Sequence, residues 1–127
     1  MGQSFKDLSV WQRAVQLTIG IYKLTNEFPS SERFGLTNQL RRASVSVASN
    51  IAEGYGRSTK GEYVQFLGHA RGSISKVETQ LVIARALNFG AKQDLDRTES
   101  MCNEVGRMLR TMMKSLQSKT SSLVPSP

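Results

Sequence analysis

A chain of 127 residues with 39% hydrophobic content and 3 prolines holds enough apolar material for one core, which excludes a disordered polymer. Seventeen Lys and Arg against ten Asp and Glu leave a formal charge of +7, a balance that draws polyanions by releasing their condensed counterions. No apolar run reaches the roughly 18 residues needed to cross a bilayer, and Met1–Leu8 lacks the basic-then-apolar order of a signal peptide. Lys6 stands where N-myristoylation after Met1-Gly2 requires Ser or Thr. A single cysteine permits no internal disulfide and agrees with a reducing compartment, so the expected location is the cytoplasm.

No stretch alternates apolar and polar residues between turn signals, so strands are not expected. Helical spacing governs the chain instead. Val10, Ala14, Leu17, Ile21, Leu24 and Phe28 recur at steps of three and four and share one face, with Ser9 as the expected N-cap and Pro29 as the stop. Ser30 or Ser31 is expected to cap a second helix, whose stripe is Leu36, Leu40, Ala43, Val47 and Ile51 and whose stop is Gly54. Thr59-Lys60-Gly61-Glu62 has the form of a capping box opening a third helix. Its stripe is Tyr63, Leu67, Ala70, Ile74, Val77, Leu81 and Ala84. A turn over Asn88–Lys92, with Gly90 inside it, leads to a fourth stripe of Leu95, Thr98, Cys102, Val105, Leu109, Met112 and Leu116. The expected organisation is an N-terminal extension over 1–8, an all-α, antiparallel up-down-up-down four-helix bundle over 9–117, and a Ser-rich flexible tail over 118–127.

A lone bundle needs one apolar face per helix, and these helices carry more. Trp11, Val15 and Tyr22 lie about 100° round from the first stripe. Val45, Ala48 and Ala52 lie away from Leu36 and Leu40. Gly68 and Gly72 belong to a small-residue stripe that the spacing sets opposite the core face of helix 3. Glycine costs roughly 1 kcal/mol against alanine inside a helix, so such a pair implies close packing. The eight residues are the expected interface of a ring-forming homo-oligomer. A wide single core with tolerated glycines is the competing reading.

The candidate chemistry is sparse. A metal-binding bundle requires inward carboxylates and Glu-x-x-His pairs, whereas His69 is the single histidine and falls on an outer face. Neither a metal nor a cofactor is expected. Cys102 lies on a core stripe, where a free thiol acts as a small hydrophobe. Met101, Met108, Met112 and Met113 read as core and interface filling. Asn50 and Glu53, beside Gln39 and Ser46, flank the helix 2 stripe. Glu53 lacks a catalytic partner, so the pair is expected to be structural, bonding to a neighbouring helix or pairing with an arginine. The chain is expected not to be an enzyme.

What remains is basic. Arg41 and Arg42 leave helix 2 on either side of its stripe, Arg57 and Lys60 bracket the start of helix 3, and Arg107, Arg110 and Lys114 share the outward face of helix 4. These seven are the candidate contacts to RNA or DNA phosphates. No aromatic stacking motif, helix-turn-helix or zinc finger is present, so base reading is unsupported and backbone binding remains. The plainer reading is a solvated charged surface.

Leu8-x-Val10-Trp11-x-x-Ala14, Phe28-Pro29, Phe34-Gly35-Leu36-x-x-Gln39-x-Arg41-Arg42-Ala43, Asn50-Ile51-Ala52-Glu53-Gly54-x-x-Arg57, Phe66-Leu67 and Gly72-Ser73 resemble the four-helix-bundle proteins encoded within 23S rRNA intervening sequences. The resemblance runs from about Phe5 to Asn88, and helix 4 agrees in character. Lys76 departs from the pattern, which has an acidic residue two positions before Glu78. The resemblance implies a bundle that assembles into a pentameric ring. It extends to the accessory variability determinant of diversity-generating retroelements, a basic pentameric bundle that partners a reverse transcriptase and its RNA. Two functions are therefore expected: a basic oligomer that binds nucleic-acid backbones, or an adaptor ring that docks a reverse transcriptase or another protein.

Overall fold

The structure, a computed structural model, describes residues 4–123, with side chains described as far as Ser118. Met1–Gln3 of the expected extension and Val124–Pro127 of the expected tail lie outside the described residues. A 3-10 turn, Phe5–Asp7, precedes α1 (Ser9–Thr25), and a second, Ser30–Glu32, precedes α2 (Leu36–Tyr55). Then follow α3 (Lys60–Ala86) and α4 (Lys92–Leu123), with no strand among the described residues. Helix α1 packs on α2 and α4, and α3 on the same two, while the backbones of the diagonal pairs are not neighbours among the described residues. The helices thus stand at the corners of a square.

The spacing of the apolar residues produces that arrangement. Leu17 and Ile21 of α1, Leu40, Val47 and Ile51 of α2, Leu67, Val77 and Leu81 of α3 and Leu109 of α4 are all fully buried in one cluster. Each such side chain contributes about 1.5–3 kcal/mol when taken out of water. Polar links at the seams join neighbouring helices. The Thr18 hydroxyl donates to the Ser44 carbonyl at 3.0 Å between α1 and α2, and the Ser46 and Ser73 hydroxyls bond between α2 and α3. Arg13 pairs with Glu104 across α1 and α4. Arg85 reaches both Asp96 and Glu99 across α3 and α4.

Several helix ends differ from the sequence expectation. Ser9 is the first residue of α1, not its cap; extended Leu8 holds the cap position without a side-chain bond. The capping hydroxyl belongs to Ser4, which forms a reciprocal capping box with Asp7 on the 3-10 turn. Helix α1 ends at Thr25, before Pro29. Thr25 Oγ1 donates back to the Ile21 carbonyl at 2.7 Å, and the chain then tightens through Phe28 N–H to Thr25 O at 3.1 Å. Neither Ser30 nor Ser31 caps α2. The 3-10 turn carries Glu32 back over the helix start, where its carboxylate accepts from the Leu36 N–H at 3.0 Å. Thr59 does cap α3, accepting from the Glu62 N–H at 3.1 Å. Helix α4 continues to Leu123, past the boundary expected at 117.

Gly54 is not a stop. It is buried inside α2, which runs on to Tyr55. A Cβ there would lie 2.8 Å from Phe66 Cβ and 3.2 Å from the Tyr63 carbonyl, so its absence lets α2 and α3 close on each other. Gly90 serves the α3–α4 turn differently. It has φ +81° and faces Leu24 Cδ1, which an added Cβ would approach to 2.9 Å, so both backbone and space call for glycine.

Candidate nucleic-acid interface

The square of helices leaves four outer grooves, and they divide by chemistry. Beside α1 both are apolar. The groove between α1 and α2, about 330 Å³, is lined by Trp11, Val15, Ile19, Val45, Ala48 and Ala52. Five of these are expected interface residues; Ile19, 50% exposed, was not foreseen. A second depression of about 480 Å³, lined by Tyr22, Arg41, Arg42 and Val45 among others, continues it. The groove between α1 and α4, about 750 Å³, is lined mainly by Leu8, Val10, Met108, Met112 and Leu116, with Glu104 and Arg107 also on its wall.

Beside α3 both grooves are lined mainly by polar and charged residues. Arg42 and Lys76 line the one between α2 and α3 with Gln39, Ser46 and Gln80. Arg71, Arg107 and Arg110 line the one between α3 and α4 with Ser75, Glu78 and Asn103. Lys114 is exposed one turn further along α4. Arg71 was absent from the candidate set because its meeting with Arg107 and Arg110 depends on the register of two helices, which spacing along one helix does not give.

Not every candidate cation is available. Arg41 is committed to the end of α1: its Nε donates to Thr25 Oγ1 at 2.8 Å and its Nη2 to Asn26 Oδ1 at 3.2 Å, while its guanidinium lies 4.5 Å from the centre of the Tyr22 ring. It therefore helps satisfy the last turn of α1. Arg57 lies 4.5 Å over the Phe66 ring and 3.4 Å from Glu53. Lys60 is exposed at the α3 start.

The structural polar pair is placed differently from one of its two expected arrangements. Asn50 does not reach a neighbouring helix; its Nδ2 donates to the Ser46 carbonyl of the same helix at 2.8 Å. Glu53 does pair with an arginine, Arg57, but four residues along and at the surface. The hydroxyls of Ser46 and Ser73 make the α2–α3 link instead. Gly68 is likewise not turned to the outside: a Cβ there would meet Met113 of α4 at 3.7 Å, whereas Gly72 opens on nothing within 4 Å. Phe34, 86% exposed in the turn before α2, lies under the Arg33 guanidinium, 5.4 Å from its ring centre.

The remaining reactive groups are quiet. The Cys102 thiol is buried against the Ile74 carbonyl at 3.8 Å. Burial, and then the charges of Glu78 and Glu99, push it up to about 12, so it stays protonated and non-nucleophilic. Among the described residues no group of three or more His, Cys, Asp or Glu could hold a metal ion. His69 is exposed and meets Phe66 edge-on at 5.5 Å.

The family model described as 23S rRNA-intervening sequence protein matches residues 6–111. The chain belongs to that family. The match passes Asn88 and takes in α4 as far as Thr111, so the fourth helix is part of the family pattern although it carries no short motif. Among solved structures, the fold is similar to that of a protein with unknown function from the S23 ribosomal protein family of Bacteroides thetaiotaomicron VPI-5482. That likeness has a TM-score of 0.74 at 18% identity and covers 83% of this chain and 98% of the other. At that identity it is a likeness of fold. A comparison with the curated proteins finds no match. No helix among the described residues is long and apolar enough to cross a membrane.

Proposed function

We propose that this family member is a non-enzymatic, homo-oligomeric basic module that binds RNA or DNA through the phosphate backbone. Its bundle runs up-down-up-down, and copies join through the α1–α2 groove into a ring, for which the family resemblance suggests five subunits. One observation carries the reading: apolar grooves flank α1 and unpaired cations flank α3, so one side suits another copy and the other suits a polyanion. Trp11, Val15, Val45, Ala48 and Ala52 supply the first surface. Arg107, Arg110 and Lys114, with Arg42 and Lys60, supply the second, repeated around the ring so that weak contacts add. The family description names 23S rRNA, which puts structured RNA first among the polyanions to test.

Anisotropy of a labelled RNA hairpin against salt tests this. Binding should weaken steeply with salt, and replacing Arg107, Arg110 and Lys114 together by glutamate should reduce the slope by about two to three. Undetectable or salt-independent binding by the unaltered protein contradicts the proposal.

A second reading has its own support in the α1–α4 groove. Met108 and Met112 line it, and methionine surfaces adapt to varied partners. On this reading the ring is an adaptor for a reverse transcriptase or another protein, as the resemblance to retroelement accessory proteins suggests. Capture of such a partner that survives loss of the helix α4 trio, but not Met108→Asp, favours it.

A further inference from the structure

Most arginines of the chain are occupied. Arg13 is held by Glu104, Arg57 by Glu53, Arg85 by Asp96 and Glu99, and Arg97 by Asp94. Arg41 is bonded at the end of α1, and Arg33 stacks on Phe34. Among the described residues Arg42, Arg71, Arg107 and Arg110 take no hydrogen bond, ion pair or ring contact. The last three line one groove.

Helical spacing explains the convergence. Arg71, Ser75 and Glu78 stand at i, i+4 and i+7 on α3, and Asn103, Arg107 and Arg110 stand at the same spacing on α4, so each helix presents one row. Between the rows Gly106 has no side chain, and an added Cβ would touch Ile74 Cγ2 at 3.5 Å. Gly68 faces Met113, and the Cys102 thiol faces the Ile74 carbonyl. These pairings set Arg71 on the level of Arg110 and Glu78 towards Asn103. One end of the groove is therefore cationic, and Glu78 makes no ion pair with the arginines.

We infer that the Arg71, Arg107 and Arg110 end of the α3–α4 groove seats a single phosphodiester of a nucleic-acid backbone. The inference rests on the polyanion reading and assigns it a specific seat, with Arg71 as a binding residue. Guanidinium groups suit it, because their planar forks hold phosphate oxygens bidentately. Three like charges that take no ion pair repel one another, and a bound phosphate removes that repulsion. The groove is about 210 Å³, under the roughly 300 Å³ at which small-molecule pockets begin. That space takes a phosphate and its waters and leaves the base outside, so the contact is blind to sequence.

Two titrations test the seat. In the first, a labelled uridine 20-mer is titrated across salt concentrations with the unaltered protein, Arg71→Ala and Arg97→Ala, circular dichroism confirming the fold of each. Arg71→Ala should lower the salt slope by about one, and Arg97→Ala, which removes an equal but ion-paired charge, should leave it unchanged. In the second, sodium phosphate is added to 15N-labelled protein against sodium chloride of equal ionic strength. The Nε–H signals of Arg71, Arg107 and Arg110 should move saturably, and in Arg71→Ala the shifts of the other two should shrink. RNA binding with equal slopes for Arg71→Ala and Arg97→Ala, or phosphate shifts spread evenly over all arginines, overturns the seat and leaves the general polyanion reading standing. Saturable phosphate shifts without RNA binding keep the seat as an anion site and remove the nucleic-acid reading. No response in either titration removes both.

Discussion

Helices α1 and α3 occupy diagonal corners of the same square, yet their flanks are opposite in character. Beside α1 the grooves are built from Trp11, Val15, Ile19, Val45 and Ala48 on one side and Leu8, Met108 and Met112 on the other. Beside α3 they are built from Arg42 and Lys76 on one side and Arg71, Arg107 and Arg110 on the other. Both helices bury a core stripe, with Leu17 and Ile21 matched by Leu67 and Leu81 at 0% exposure. The core therefore fixes the bundle, and the flanks are free to specialise. The small residues of α3 take on a different meaning in that light. Gly68 lies against Met113 of α4 whereas Gly72 opens on nothing within 4 Å, so the two glycines do not form one surface for another helix of the chain.

The largest effect that separates the core from the flanks belongs to Leu17→Ala. It should cost about 2–5 kcal/mol by chemical denaturation, whereas Val15→Ala, at the half-buried groove wall of the same helix, should cost far less in a single chain. Equal losses would erase the distinction between core and groove. Gly54→Ala comes next. The added Cβ would press on Phe66 and Tyr63 and should cost about 1–3 kcal/mol. Gly72→Ala should instead stabilise by about 0.5–1 kcal/mol, since helix propensity is gained in open space. A destabilising Gly72→Ala would show that another surface covers that face of α3.

The buried thiol gives a pH signature. Because Cys102 is raised from 9.0 to about 12 in the fold, its protonated form is favoured there. The contribution to stability is complete below pH 9 and is lost as pH rises towards 12. Thiol-specific labelling at pH 8 should be slow until denaturant is added, and rapid labelling of the native protein would contradict burial in the core. The smallest effect is that of Glu53→Gln. An exposed i, i+4 pair with Arg57 contributes about 0.3–0.5 kcal/mol, so stability should barely change.

Much of the fold was legible because 3.6-residue periodicity reports burial directly: the core stripes of α1 and α2, and that of α4 from Leu95 to Leu109, are buried throughout, as is that of α3 beyond its half-buried first residue, Tyr63. Helix ends were less legible, because caps compete locally. Ser9, Ser30 and Ser31 all have capping chemistry, but Ser4 and Glu32 make the bonds. Gly54 carries the usual meaning of a glycine near a helix end, and only the approach of Phe66 reveals its packing role. The basic set was legible one helix at a time. Which arginines are tied, as Arg41 is to Thr25, and which converge, as Arg71 does with Arg107 and Arg110, is decided between helices. No single-helix pattern encodes it.

The account depends most on the apolar flank of α1 being a meeting surface between copies. Sedimentation equilibrium on the unaltered chain and on Val45→Glu tests it, since Val45 is 43% exposed and its replacement leaves the core intact. The unaltered protein should sediment as a defined oligomer, and Val45→Glu should fall to the 14.1 kDa of a single folded chain. An unaltered protein that sediments as a monomer, or a Val45→Glu oligomer of unchanged size, contradicts the account.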